Sequence, residues 1–84
     1  MDKDYIRYFY KSKEHRTTRI LSVFNMSPFL QGWTVRLTEK YHGNVTKKPK
    51  VLEFEHFGDR ETAVKCADAT ARELIQNGYK ELFL

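Results

Sequence analysis

The side chains in this chain that could do covalent or metal chemistry are His15, His42, His56 and Cys66. Zinc sites draw ligands in close pairs, because one tight turn presents two donors to one ion. Here the nearest two, His56 and Cys66, stand ten positions apart, so the spacing predicts no closed ligand set. No grouping of Ser, His and Asp has a supporting local motif. No glycine-rich segment can cradle a phosphate, since Gly32, Gly43, Gly58 and Gly78 each fall at an expected turn. His56 reads as a partly buried histidine on a strand's inner face, and Cys66 as a small packing residue. These residues therefore imply no enzyme, no cofactor, no metal and no evident small-molecule substrate.

The residues suited to binding are better organised. Arg16 and Arg19 flank the start of one extended segment. Arg36 and Lys40 project from another, with Thr34 and Thr38 in the same row, and Lys47, Lys48 and Lys50 follow in a loop. Lysine and arginine neutralise phosphates, and arginine and threonine can also read base edges. Residues 1–50 hold eleven Lys or Arg against four acids (+7), and residues 51–84 hold four against seven (−3). An electropositive N-terminal portion attracts polyanions at long range, and salt weakens that attraction. Glu53 and Glu55 count against this if they share a wet face with Arg36 and Lys40. Cross-strand ion pairs would then occupy those cations.

These side chains must be positioned by a small scaffold. Tyr5 to Lys11 and Arg16 to Phe24 are aromatic and β-branched, and read as a hairpin of strands. Pro28 then breaks the pattern. From Trp33 to Tyr41 the alternation is strict, with Trp33, Val35 and Leu37 on one face and Thr34, Arg36, Thr38 and Lys40 on the other. Val51 to Phe57 returns as a fourth strand, with Leu52, Phe54 and His56 on one side and Glu53, Glu55 and Phe57 on the other. Asp59 is a good N-cap for a helix over 60–77, whose stripe is Ala63, Ala67, Ala71, Leu74 and Ile75. Gly78 supplies the left-handed residue after it. Residues 80–84 are apolar enough to form a short edge strand or to dock on the core. The fold expected is α+β, an antiparallel sheet of four or five strands packed against one C-terminal α-helix. The core expected is Trp33, Val35, Leu37, Leu52, Phe54, Ala67, Ala71 and Leu74.

The 84 residues suit one small basic domain, 1–84. With 40% apolar and 14% aromatic residues, the composition is that of a packed domain and not of a disordered chain. One cysteine permits no internal disulfide, the N-terminus has no apolar signal core, and no apolar run reaches the length of a membrane span. A cytoplasmic location without membrane association is the expectation.

From Gly32 to Gly78 the chain runs through a strand opening Gly32-Trp33-x-Val35-Arg36, a basic loop and a second strand. Phe57-Gly58-Asp59-Arg60-Glu61-Thr62-Ala63 then leads into an alanine-rich helix. This pattern resembles the AP2-like fold of plant transcription factors and of the arm-binding domains of phage and transposon integrases. The resemblance implies a three-stranded sheet backed by one helix, with the outer face of the sheet in the DNA major groove. It assigns Arg36 and Thr38 to positions facing DNA, and Ala63 and Ala67 to positions packed on the sheet. It covers 47 of the 84 residues and leaves the first two strands unexplained. Phe57 to Tyr79, with its Asn77-Gly78-Tyr79 ending, is also similar to the tail of a WGR domain, another sheet-plus-helix nucleic-acid module. The Trp-Gly-Arg signature of that family is absent. Both imply a nucleic-acid partner, and the first favours duplex DNA.

A second class of function stays open. Small basic sheet-plus-helix chains are typical of phages and mobile elements, and some such proteins bind and modulate a host protein. Tyr5, Tyr8, Phe9 and Tyr10 lie so close together that at least one must face outward. An exposed aromatic patch would suit a protein partner or a homodimer.

Overall fold

The computed structural model describes residues 5–11, 17–25, 32–41 and 48–83. The elements run β1 (Tyr5–Tyr10), β2 (Thr17–Phe24), β3 (Trp33–Tyr41), β4 (Lys50–Phe57), α1 (Arg60–Gln76) and β5 (Lys80–Leu82). The strands form one antiparallel sheet in the order β4-β3-β2-β1-β5. Each consecutive strand pairs with its predecessor through β4. The chain then crosses beneath the sheet as α1 and returns to add β5 beside β1. The expected α+β architecture is the one observed, with the last residues forming the short edge strand.

One face of the sheet is closed by the helix. Phe9, Leu21, Val23, Val35 and Leu37 point inward and meet Ala63, Ala67, Ala71 and Leu74. The alanines leave the backbone of α1 room to approach the sheet closely. Asp59 caps the helix, its carboxylate accepting from the Thr62 N–H at 2.9 Å and from the Thr62 hydroxyl at 2.8 Å. Those bonds hold the Asp59 carboxyl below its ordinary range. At the other end the Tyr79 N–H reaches Leu74 O at 2.9 Å and the Gly78 N–H reaches Ile75 O at 3.1 Å. This is the paired closure that a glycine at positive φ permits, and Gly78 has φ +95°. Among the described residues no helix is long and apolar enough to cross a membrane.

Two expectations for β4 are overturned by a bulge. Leu37 pairs with Glu53 but Thr38 pairs with Val51, so Leu52 is an extra residue in the ladder. A bulge of this kind breaks the two-residue alternation and re-aims the side chains beyond it. Leu52 therefore packs against the core. Phe54, expected beside it, faces out and is 50% exposed. Glu53 and Glu55 turn to the helix side, where Glu55 accepts a hydrogen bond from the Cys66 thiol at 3.4 Å. They pair in register with Leu37 and Val35, not with Arg36 or Lys40.

β5 is held to β1 by charge as well as by backbone pairing. Arg7 donates through Nε to Glu81 Oε2 at 2.9 Å and through Nη2 to the other oxygen, a two-pronged grip. Tyr5 donates to Asp68 at 2.6 Å, tying β1 to the helix, and burial pushes the Tyr5 phenol up to about 12. The Arg7 bond holds the Glu81 carboxyl below its ordinary 4.5. A carboxyl depressed in the folded state adds stability above its unfolded pKa, and that stability is lost as pH falls through the folded value. Glu81→Gln is thus expected to cost about 1 kcal/mol at neutral pH. The difference from wild type should shrink as pH drops below 4.5. Urea melts of both proteins across that range check it, and a gap independent of pH would rule out the Arg7 pair as its source.

Candidate nucleic-acid interface

The face of the sheet away from α1 is left open by the described elements, although Ser22 and Thr34 on it are buried, and the strand register fixes its layout. Ile6, Ser22, Arg36 and Phe54 form one cross-strand row. Leu82, Tyr8, Ile20, Thr38 and Val51 form the next, and Lys80, Tyr10, Thr18 and Lys40 a third. Phe24, Thr34 and His56 make a fourth at the opposite end. None of these outward strand residues is acidic. The described acids lie elsewhere: Glu39, Glu53, Glu55 and Glu81 on the strands' helix side, Asp59 at the cap, and Glu61, Asp68 and Glu73 on α1. Charge is thus segregated across the sheet, which concentrates positive potential on the open face.

The residues expected to bind divide into three groups. Arg36, Thr38 and Lys40 project together from β3, and all three line one shallow groove with Ile20, Ser22, Pro49 and Val51. Arg36 and Lys40 are exposed, and Thr38 is partly so. With two residues per step of the pleat, Arg36 and Lys40 stand about 13 Å apart along the strand. The Arg36 guanidinium lies over the Phe24 ring, 4.9 Å from its centroid. That stacking steers the side chain without consuming its hydrogen-bond donors. Lys48, also exposed, comes just before β4.

Arg19, Thr34 and Lys50 stand apart from that cluster. Arg19 shares its strand face with Leu21 and Val23 and so points to the helix side. There its Nε lies 3.5 Å from Glu39 and its guanidinium 4.8 Å from the centre of the Tyr79 ring. Lys50 pairs in register with Glu39 and takes the same side. Thr34 does point outward, in one row with Phe24 and His56, but it is fully buried. Its hydroxyl shares a hydrogen bond of 3.1 Å with His56 Nδ1. A ligand on the sheet surface cannot reach it. His56 itself is exposed and does not lie on the inner face expected for it. Its ring occupies the space beside Gly32, where an added Cβ would lie 2.7 Å from Nε2 and 2.5 Å from Phe57 O, and φ is +126°. Glycine is required there. Arg16 and Lys47 lie outside the described residues, as do His15 and His42.

Among the outward residues that the basic pattern did not single out, several are aromatic or apolar: Tyr8, Tyr10, Phe24 and Phe54, with Ile6 (48% exposed), Val51 (52%) and Leu82 (44%). For β1 the signal was present in the strand period, because Phe9 inward forces Tyr8 and Tyr10 outward. For Phe54 it was hidden by the bulge.

The helix side offers less. A depression between β4 and α1 is bordered by Val35, Glu53, Phe54, Glu55, Cys66 and Thr70. Burial, with Glu55 as hydrogen-bond partner, pushes the Cys66 thiol up. A raised thiol stays protonated at neutral pH, which disfavours nucleophilic attack. Among the described residues no three His, Cys, Asp or Glu converge on a point that could hold a metal ion. Comparison of the chain with protein-family models, with curated proteins and with solved structures finds no match to any of them.

Proposed function

We propose that this chain is a non-enzymatic nucleic-acid-binding module that works through its open sheet face. The observation that carries the reading is the charge segregation. Arg36 and Lys40 share one groove with the Thr38 hydroxyl, and no outward strand residue among those described is acidic. Exposed cations on an acid-free surface suit a polyanion, since phosphates release their counterions when lysine and arginine replace them. Lys48, exposed just before β4, would add a phosphate contact.

Fluorescence anisotropy with labelled duplex and single-stranded oligonucleotides, at several salt concentrations, tests this reading. Binding should be clear at low salt and should weaken linearly in log–log form as salt rises. Failure to bind either form at low salt would sink it.

A second reading rests on the exposure of Ile6, Phe54 and Leu82. Apolar side chains on an open sheet also suit a protein partner, such as a host factor engaged by a mobile-element product. Salt-insensitive capture of a specific protein, with no oligonucleotide binding, would favour it.

A further inference from the structure

The geometry points to single-stranded nucleic acid as the occupant of the open face, with bases stacked on Phe54 and Tyr8 and phosphates held by Arg36 and Lys40; this rests on the nucleic-acid reading above. The first argument is width. Five strands spaced about 4.8 Å apart span about 19 Å between the outermost backbones, whereas the major groove of B-DNA is about 12 Å wide. A two- or three-stranded ribbon enters that groove. Here β3, which carries Arg36 and Lys40, has β4 on one side and β2, β1 and β5 on the other. The strands beyond β2 would meet the phosphate ridges before the β3 side chains reached base edges. An extended single strand has no groove walls and can lie across the whole face.

The second argument is the kind of side chain exposed. The bulge at Leu52 turns Phe54 out of the core and places it directly across from Arg36. There it remains half exposed. Phenylalanine has no polar atom to satisfy in water, so an outward ring next to a cation has little to offer a duplex backbone and much to offer an unpaired base. Base–aromatic stacking tolerates any sequence because every base has a π-face. Tyr8 lies on β1, three strands from Phe54 and one row along, about 16 Å away. The cations stand on β3 between the two rings.

The same charges argue against a second copy of this chain as occupant. A two-fold, face-to-face dimer would set Arg36, Lys40 and Lys80 against a surface equally free of acids, and buried unpaired cations are strongly unfavourable. The groove among the described residues is also open to solvent rather than enclosed, which offers little hold to the anchoring side chain that a tight protein interface needs.

The test is anisotropy of the full chain with an oligothymidylate of about 12 nucleotides, within the range of known single-strand sites, against a duplex of equal length. At low salt the single strand should bind at least about tenfold more tightly. Phe54→Ala should weaken single-strand binding about 10- to 100-fold, the loss of one stacked base. Its salt slope and thermal midpoint should stay near wild type. Phe54→Trp should retain binding, and its added fluorescence should be quenched by the oligonucleotide. Duplex binding as tight as single-strand binding, or a Phe54→Ala protein with wild-type affinity, would overturn the single-strand assignment while leaving the nucleic-acid reading intact. So would polyglutamate binding as tight as the oligonucleotide's, because an acidic polypeptide would then suffice. Failure to bind either nucleic acid would remove the parent reading instead.

Discussion

Alanine at both Arg36 and Lys40 is expected to weaken oligonucleotide binding about 10- to 100-fold at low salt, as loss of two charge-assisted contacts should. Each phosphate neutralised contributes about 0.7 to the salt slope for a single strand and about 0.9 for B-form duplex. Removing two contacts should therefore flatten the slope by about 1.4 in the first case and about 1.8 in the second. Both residues are exposed and neither belongs to the core cluster, the Arg36 guanidinium lying over the outward Phe24 ring. The folded state should be almost unchanged, which a urea melt would confirm. The matched control is Arg19→Ala. Arg19 is also a basic strand residue, but it spends its charge on Glu39 and Tyr79 on the helix side. Its loss should leave the slope and the affinity at wild-type values. An unchanged slope in the Arg36 and Lys40 variant, or an Arg19→Ala effect as large, would remove the open face as the binding surface.

The difference between Arg36 and Arg19 shows how far the sequence could be read. Along β3 the alternation is uninterrupted, so the outward row of Arg36, Thr38 and Lys40 was legible from period alone. The same logic was available for Arg19, which stands two residues before Leu21 and four before Val23. Two apolar neighbours at that spacing place it on the buried face, a stronger signal than its nearness to the strand's start. Thr34 obeys the period and still fails to reach solvent, because burial depends on what packs over a residue from elsewhere in the chain, a non-local fact. β4 was the least legible segment. One unpaired residue, Leu52, reverses the side of everything after it, and no local composition marks a bulge in Lys50-Val51-Leu52-Glu53-Phe54. That single irregularity exposes Phe54, moves Glu53 and Glu55 to the helix side, and clears the acids from the face that Arg36 occupies. The helix, by contrast, was legible to within a residue. Its signals are local: an Asp cap, four-residue alanine spacing, and a glycine that closes the last turn.

Two phenylalanines on opposite faces of the sheet give the largest expected contrast in stability. Phe9 is fully buried on β1, between Arg19 on β2 and Glu81 on β5 in the ladder, and belongs to the cluster that α1 covers. Phe9→Ala should cost about 3–5 kcal/mol, the lost transfer energy plus that of the cavity left behind. The helix residues of the same cluster, Ala63, Ala67 and Ala71, are too small to fill the space, which favours the upper end of that range. A domain of 84 residues has a total stability of about 4–13 kcal/mol. The substitution should therefore remove a large share of it and populate unfolded chains at physiological temperature. Phe54→Ala deletes the same atoms from a ring already half in water and should cost under about 1 kcal/mol. Urea unfolding of the two variants under the same conditions decides the matter. If Phe54→Ala proved as destabilising as Phe9→Ala, Phe54 would be a core residue, and the stacking role given to it would lose its basis. If instead Phe9 alone carries stability while Phe54 alone affects oligonucleotide binding, the sheet divides cleanly into a face that folds the chain and a face free to meet a partner.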